Sequence, residues 1–309
     1  MRIIFMGTPE FAVPSLDALA DAGFDIPLVV TRPDKPAGRG KHLQAPAVKQ
    51  RATELGLPVY QPPTLKKPEP QEQLRSVGAD AIAVVAFGAI LPVEVLEMTP
   101  LGAINVHASL LPKYRGSSPI NWVIVNGETE SGVTTMYMAE GLDTGDILLQ
   151  RAISLDSRET AATLHDKLAA VGGPLLVETL QRLEAGTLTA TPQDDGASSY
   201  IPKLTRDDGL VDWSLSATIL DRRIRGFTPW PGAFTFWDAR RVNVRAAHPV
   251  TTVPIRPPGC IEAVTPDALL VATGDGCLAV TEVQLEGKRP LPIAAFLAGH
   301  PLALGTQLG

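Results

Sequence analysis

The sequence predicts an α/β protein in which a Rossmann-like, mostly parallel sheet is followed by a smaller OB-like β-barrel domain. Three observations carry that expectation. Short apolar runs alternate with amphipathic stretches through the first half, the pattern of βαβ units whose parallel strands are covered by helices. The pattern then breaks at a segment rich in proline, aspartate, glycine and serine. Beyond the break, short alternating runs return with turn residues between them, as in a small all-β domain.

In chain order, runs at 3–6, 26–30, 81–87, 103–106 and 133–138 read as strands, with amphipathic stretches such as 16–22 and 47–55 between them. A longer helical stretch covers 160–183 and is closed by Gly186. Over 187–208 the residues Pro192, Asp194, Asp195, Gly196, Ser198, Ser199 and Pro202 are those of a connector. The expected division is a catalytic domain over 1–188, a linker over 189–206 and a C-terminal domain over 207–309. In the last, 216–225 reads as a helix, and 233–237, 242–246, 260–264, 269–273 and 278–285 read as strands, with Gly274-Asp275-Gly276 as a hairpin signal.

Composition narrows the function classes. With 45% hydrophobic and 19% charged residues the chain can build a core and is not a disordered tail. The longest uncharged apolar stretch, 81–93, falls short of the roughly 18 to 20 residues of a spanning helix, so no membrane partner is expected. The N-terminal apolar run breaks at Gly7, Pro9 and Glu10, which argues against a secretory leader. Two cysteines, Cys260 and Cys277, fit a reducing cytoplasm better than a disulfide framework. The net charge of −6 disfavours nonspecific nucleic-acid binding, so any such ligand must meet a local basic patch. Gly7 stands alone after the first run, without the three-glycine dinucleotide fingerprint. Gly38-Arg39-Gly40-Lys41 lacks the upstream glycine of a phosphate-binding P-loop, and no two of the five histidines are spaced i,i+4, so no metal is expected.

Two segments could carry chemistry. Asn105 and His107 end an apolar run, and residues two apart on a strand share a face, so both would project at the carboxyl end of a central strand. An amide donor for a developing oxyanion beside an imidazole that moves protons near neutral pH suits acyl-type transfer. For an isolated Asn-x-His pair, a strand-capping histidine is the commoner role. The second segment, Gly141-Leu142-Asp143-Thr144-Gly145-Asp146, places acids in a glycine-flanked loop, where Asp143 could hold the His107 imidazole in one tautomer; turn formation is the plainer use of such aspartates. His107, Ser109 and Asp143 also supply the residue types of a hydrolase triad, although Ser109 lies in no G-x-S-x-G elbow.

The stretch from Asn105 to Gly116 together with 141–146 resembles the signature of enzymes that transfer a formyl group from 10-formyltetrahydrofolate. The likeness extends to Gly7-Thr8-Pro9-Glu10-Phe11, to the loop 32–41, and to Asp212-Trp213-Ser214 and 225–232, and over nearly its whole length the chain is similar to the branch that formylates methionyl-tRNA. Ser117-Ser118 departs from the two alanines common there. The resemblance implies that Asn105, His107 and Asp143 are catalytic and that Ser109, Leu110, Leu111 and Pro112 line the folate pocket, with Phe87, Gly88, Ile90 and Leu91 as its other wall. It implies 10-formyltetrahydrofolate as co-substrate without a metal, initiator methionyl-tRNA as partner, and a monomer. It also assigns the loop carrying Arg32, Lys35, Arg39 and Lys41 to the tRNA acceptor, with Arg39 leading. Arg222, Arg223, Arg225, Arg240, Arg241 and Arg245 offer a second phosphate track in the C-terminal part. A formyl acceptor such as a sugar nucleotide amine and a noncatalytic tRNA-binding module are the rival expectations.

Overall fold

The computed structural model of the chain describes residues 1–37 and 42–309. Every run read as a strand in the first half enters one seven-stranded sheet. Its strands are β1 (Arg2–Gly7), β2 (Asp25–Val30), β3 (Val59–Tyr60), β4 (Ala81–Val85), β5 (Ala103–His107), β6 (Glu130–Tyr137) and β7 (Ile147–Ser154), ordered β7-β6-β5-β4-β1-β2-β3. From β5 to β3 all neighbours are parallel, whereas β6 and β7 join antiparallel. The central runs are continuously apolar because both faces are covered: Ile3 to Met6 and all of β4 are buried. The run at 81–87 is shorter as a strand than its apolar content suggests. Ala86 takes a φ of 46° and Gly88 one of 77°, so the chain turns out of the sheet just past Val85.

Helices α1 (Val13–Asp21), α2 (Ala47–Glu54), α3 (Pro68–Ser76) and α4 (Ala161–Glu184) fill the crossovers and the long helical stretch. In α4 the Gly172-Gly173 pair permits close packing. A Cβ on Gly172 would lie 3.1 Å from Val106 Cγ1 of β5, and one on Gly173 would lie 2.7 Å from the Pro14 carbonyl of α1. Ile4, Met6, Val30, Ile82, Val84 and Val95 belong to one core cluster, and burying such side chains stabilises by about 1.5 to 3 kcal/mol each.

The chain forms two compact units, and neither is continuous in sequence. The first takes Met1–Pro119, Glu130–Ser154 and His165–Ile201; the second takes Ile120–Thr129, Leu155–Leu164 and Pro202–Gly309. In the second, α5 (Ala217–Gly226) is capped by Ser216, whose hydroxyl accepts from the Ile219 N–H. Its sheet is antiparallel throughout: β8 (Ala233–Trp237), β9 (Arg240–Val250), β10 (Ile261–Val264), β11 (Leu269–Ala272) and β12 (Cys277–Leu285), ordered β8-β9-β12-β11-β10. The last residues bridge its outer strands, with the Gly305 N–H donating to Ile261 O and the Gly309 N–H to Phe236 O. Trp213, Leu220, Ile224, Val271, Val280 and Phe296 are among the buried residues of this core. Among the described residues, no helix is long and apolar enough to cross a membrane.

Candidate active site

Asn105 and His107 stand two residues apart at the carboxyl end of β5, so both side chains leave one face of the sheet. Asn105 is half-buried, and its carboxamide has no hydrogen-bond partner among the described residues. His107 is only 6% exposed. Its Nε2 lies 3.0 Å from the Tyr114 carbonyl oxygen. A carbonyl can only accept, so Nε2 carries a proton towards Tyr114 and the lone pair of the neutral ring lies on Nδ1. Nδ1 faces Asp143 Oδ2 at 3.7 Å, an ion-pair distance once the ring is charged but longer than a hydrogen bond. Asp143 Oδ2 accepts instead from the Gly116 N–H at 2.9 Å.

His107 and Asp143 therefore meet, with Asn105 on the same face of the strand, and the expectation for Asp143 needs one correction. The Tyr114 carbonyl sets the His107 tautomer, while the Asp143 carboxylate supplies a facing negative charge. Both supports are built on unusual backbone: Tyr114 has a φ of 62° and Asp143 one of 54°. Aspartate visits this left-handed region more readily than most residues, and tyrosine does not. Such conformations cost of order 1 to 3 kcal/mol and persist only where surrounding bonds over-determine them.

The expected folate-pocket residues are distributed unevenly. Ser109 is fully buried and its hydroxyl donates to the Lys113 carbonyl at 2.8 Å, which takes it out of a triad with His107. Leu111 is buried, its N–H donating to Thr134 Oγ1 and its carbonyl accepting from Gln150 Nε2, while Leu110 and Pro112 are half-buried. Opposite, Phe87 and Leu91 belong to the core, whereas Gly88 and Ile90 are exposed. Thr8 Oγ1 holds this turn by donating to the Phe87 carbonyl at 2.8 Å. Among the described residues no group of three or more His, Cys, Asp or Glu side chains could hold a metal ion.

Of the basic loop, Arg39 and Lys41 lie outside the described residues; Lys35 is exposed and Arg32 half-buried. Lys49 is already paired, its ammonium 2.8 Å from Asp34 Oδ2. The second basic cluster is likewise partly committed: Arg225 pairs with Asp221 at 2.9 Å, and Arg223 donates to Asp208 O and stacks on Phe227. Arg240 lies over Trp237 and Arg241 over Phe234.

Sequence reasoning passed over three neighbours of the site. Gln193 donates to the carbonyls of both Asp143 and Gly145, Arg115 is a buried guanidinium bonded to Gln193, and Ser199 holds the Tyr114 N–H. The available signal was an arginine, Arg115, inside the motif region beside apolar residues; Gln193 and Ser199 sit in a segment with connector composition and offered none.

Known proteins resemble this chain along its whole length. A formyl transferase family model matches residues 1–180, and a formyl transferase C-terminal domain model matches residues 203–301. A methionyl-tRNA formyltransferase of Geobacter metallireducens is 48% identical over 309 residues, covering 100% of this chain and 99% of that one. Among solved structures, an N-formyltransferase from Helicobacter canadensis in complex with folinic acid and dTDP-3-aminofucose has a TM-score of 0.67 at 19% identity, over 90% of this chain and 97% of that one. HypX from Aquifex aeolicus in complex with tetrahydrofolic acid has a TM-score of 0.64 at 20% identity, and the match covers 96% of this chain but 47% of HypX. At these identities the two structures speak to the fold.

Proposed function

Since the chain belongs to the methionyl-tRNA formyltransferase family, we propose that Asn105, His107 and Asp143 carry its reaction, the transfer of a formyl group from 10-formyltetrahydrofolate to the α-amino group of methionyl-tRNA. The acceptor in this reading is the initiator tRNA, which ties the protein to translation initiation. The residues present fit the co-substrate: an unpartnered carboxamide stands at the mouth of a strand end, next to an imidazole with one free nitrogen. Half-buried Leu110 and Pro112 and the exposed Gly88–Ile90 turn would hold the folate.

Bound 10-formyltetrahydrofolate supplies an amide-like N-formyl carbonyl. The Asn105 amide donates to the carbonyl oxygen as charge develops there. His107 Nδ1 takes the proton of the attacking amine, since Nε2–H is held by the Tyr114 carbonyl. Asp143 neutralises the imidazolium that forms, in a site where His107 and Asp143 side chains are 6% and 14% exposed and the local field is little screened. The same Nδ1 then returns the proton to the departing nitrogen. Esterification of the methionyl carboxylate lowers the basicity of the amine, so a neutral nucleophile is available near pH 7.

The observation that carries this reading is the 3.7 Å approach of His107 Nδ1 to Asp143 Oδ2 beside an unpartnered Asn105. Removing one oxyanion donor typically lowers kcat by about 10² to 10³-fold. Asn105→Ala, His107→Ala and Asp143→Ala are each expected to lose turnover on that scale in an assay with 10-formyltetrahydrofolate and charged initiator tRNA, with the fold retained by circular dichroism. Near-normal turnover in all three overturns the assignment, and formylation of a sugar nucleotide amine in preference to methionyl-tRNA overturns the acceptor. In the same reading residues 1–188 form the catalytic domain, 189–206 the linker and 207–309 the tRNA-binding domain, supported by family matches over 1–180 and 203–301. The protein works as a cytoplasmic monomer, and Arg32, Lys35, Arg39 and Lys41 meet the acceptor stem.

A further inference from the structure

We propose that Gln193 is a positioning residue for formyl transfer: its carboxamide, oriented by the buried Arg115, ties together two carbonyls of the Asp143 turn and thereby holds the Asp143 carboxylate against His107. This rests on the catalytic reading of Asp143 given above.

Among the described residues, two other bonds reach the turn, from the Gly116 N–H to the Asp143 carboxylate and from the Tyr137 N–H to the Asp146 carbonyl, and neither engages the carbonyls of Asp143 and Gly145. Residues 139–146 form no helix or strand, and Asp143 sits in the left-handed region. Gln193 Nε2 donates to the Asp143 carbonyl at 2.8 Å and to the Gly145 carbonyl at 2.7 Å, so a single amide brackets Thr144 and uses both of its N–H groups. Which end of the carboxamide faces the turn is decided from behind. Arg115 Nε donates to Gln193 Oε1 at 3.0 Å, and a guanidinium has no acceptor to offer the NH2 end. Arg115 is itself immobilised: it is 1% exposed, its NH1 donates to Tyr200 OH at 3.0 Å, and its NH2 lies 2.9 Å from Asp195 Oδ1 in an ion pair.

The segment that bears Gln193 is anchored at both ends within the first unit. Thr191 exchanges both backbone hydrogen bonds with Ile147 of β7, each 2.8 Å. Ser199 Oγ accepts from the Tyr114 N–H and its carbonyl from the Arg115 N–H, and Tyr200–Ile201 pair in parallel with Arg115–Gly116. One segment thus grips both supports of the reacting pair, Asp143 through Gln193 and the His107-binding Tyr114 through Ser199. Loss of the Gln193 bonds would loosen the Asp143 turn, leaving it on the Gly116 and Tyr137 N–H groups, and misplacement of a reacting group by about 1 Å is worth up to about 100-fold in rate.

The test is a double-mutant cycle on the full-length protein, measuring kcat, both KM values and the melting temperature. Gln193→Met keeps the length and removes the hydrogen bonds; Gln193→Glu keeps the acceptor for Arg115 and removes the two donors, and it carries the test should the methionine variant fail to fold. Either is expected to lower kcat by about 10- to 100-fold while KM for folate and for methionyl-tRNA stays within about twofold. In the Asp143→Ala background the same substitution should lower kcat by no more than about twofold further, because its effect passes through Asp143. A kcat within twofold of wild type, or losses that multiply in the double variant, overturns the proposal for Gln193 alone. Near-normal turnover of Asp143→Ala by itself overturns the catalytic reading and this proposal with it.

Discussion

His107 shows how a single contact decides what a residue can do. With Nε2–H pinned to the Tyr114 carbonyl, the neutral ring offers no donor to a substrate oxygen, so in the proposed mechanism oxyanion stabilisation falls to Asn105 and proton transfer to Nδ1. The residue types were legible in the sequence, and their division of labour was not. Asp34 makes a parallel case outside the site. Hydrogen bonds from Gln61 and Lys49 hold its carboxyl below the ordinary 3.8. A carboxyl lowered on folding contributes stability that is present above its unfolded value and is lost as pH falls through its folded one. The stability advantage of the wild type over Asp34→Asn, followed as melting temperature from pH 7 to pH 3, is therefore expected at neutral pH and should close as pH drops below 3.8. A constant difference across that range would contradict the pairing.

Among elements, the loop 141–146 is the most instructive. Its flanking glycines suggest a flexible acidic turn, yet Gly145 is required by crowding: a Cβ there would lie 1.8 Å from the Tyr137 carbonyl oxygen, and backbone of β6 cannot give way as a side chain would. Overpacking of this kind costs about 1 to 3 kcal/mol. Gly145→Ala should lower the melting temperature and, by displacing Asp143, lower kcat more than it raises KM; unchanged turnover would mean that the loop is not held against β6 during the reaction. Gly116, at a φ of 122° and with its would-be Cβ 2.5 Å from the Ile201 carbonyl, plays the same part for the paired strap. Helix α3 escaped the sequence reading for a related reason: only Pro70 and Leu74 of its nine residues are buried, too few to set up a helical period. The strand run 81–87 was read too long because Phe87 stays in the core after the backbone has turned away at Ala86.

For the molecule as a whole, the acceptor is polyanionic while the chain carries a net charge of −6, so attraction must come from local groups. In the second unit several arginines already serve internal carboxylates, carbonyls and aromatic rings, which shifts the weight of the proposal to the loop with Arg39. Arg39→Ala is expected to raise KM for methionyl-tRNA about tenfold, to leave KM for folate unchanged, and to lessen the salt dependence of the tRNA term by about one phosphate contact. An equal rise for both substrates would assign the loop a structural role. The units also show what linear reading misses, since 120–129 and 155–164 group with the C-terminal residues although they are interleaved in sequence with the first unit. The sequence by itself determined the parallel sheet, the separate β-rich part, the Asn-x-His strand end and the acidic loop, because each is written locally, as a continuous apolar run between amphipathic stretches, an alternation of period two or a short turn. Only the tertiary structure decided which oxygen holds the His107 proton, that Asp143 faces the other nitrogen, and that a connector-like segment clamps both supports. The clamp depends on hydrogen bonds across 50 and 85 positions of chain, and even the Tyr114 carbonyl on His107, seven positions away, reaches it through a turn, so none of these pairings leaves a periodic trace in composition or hydropathy.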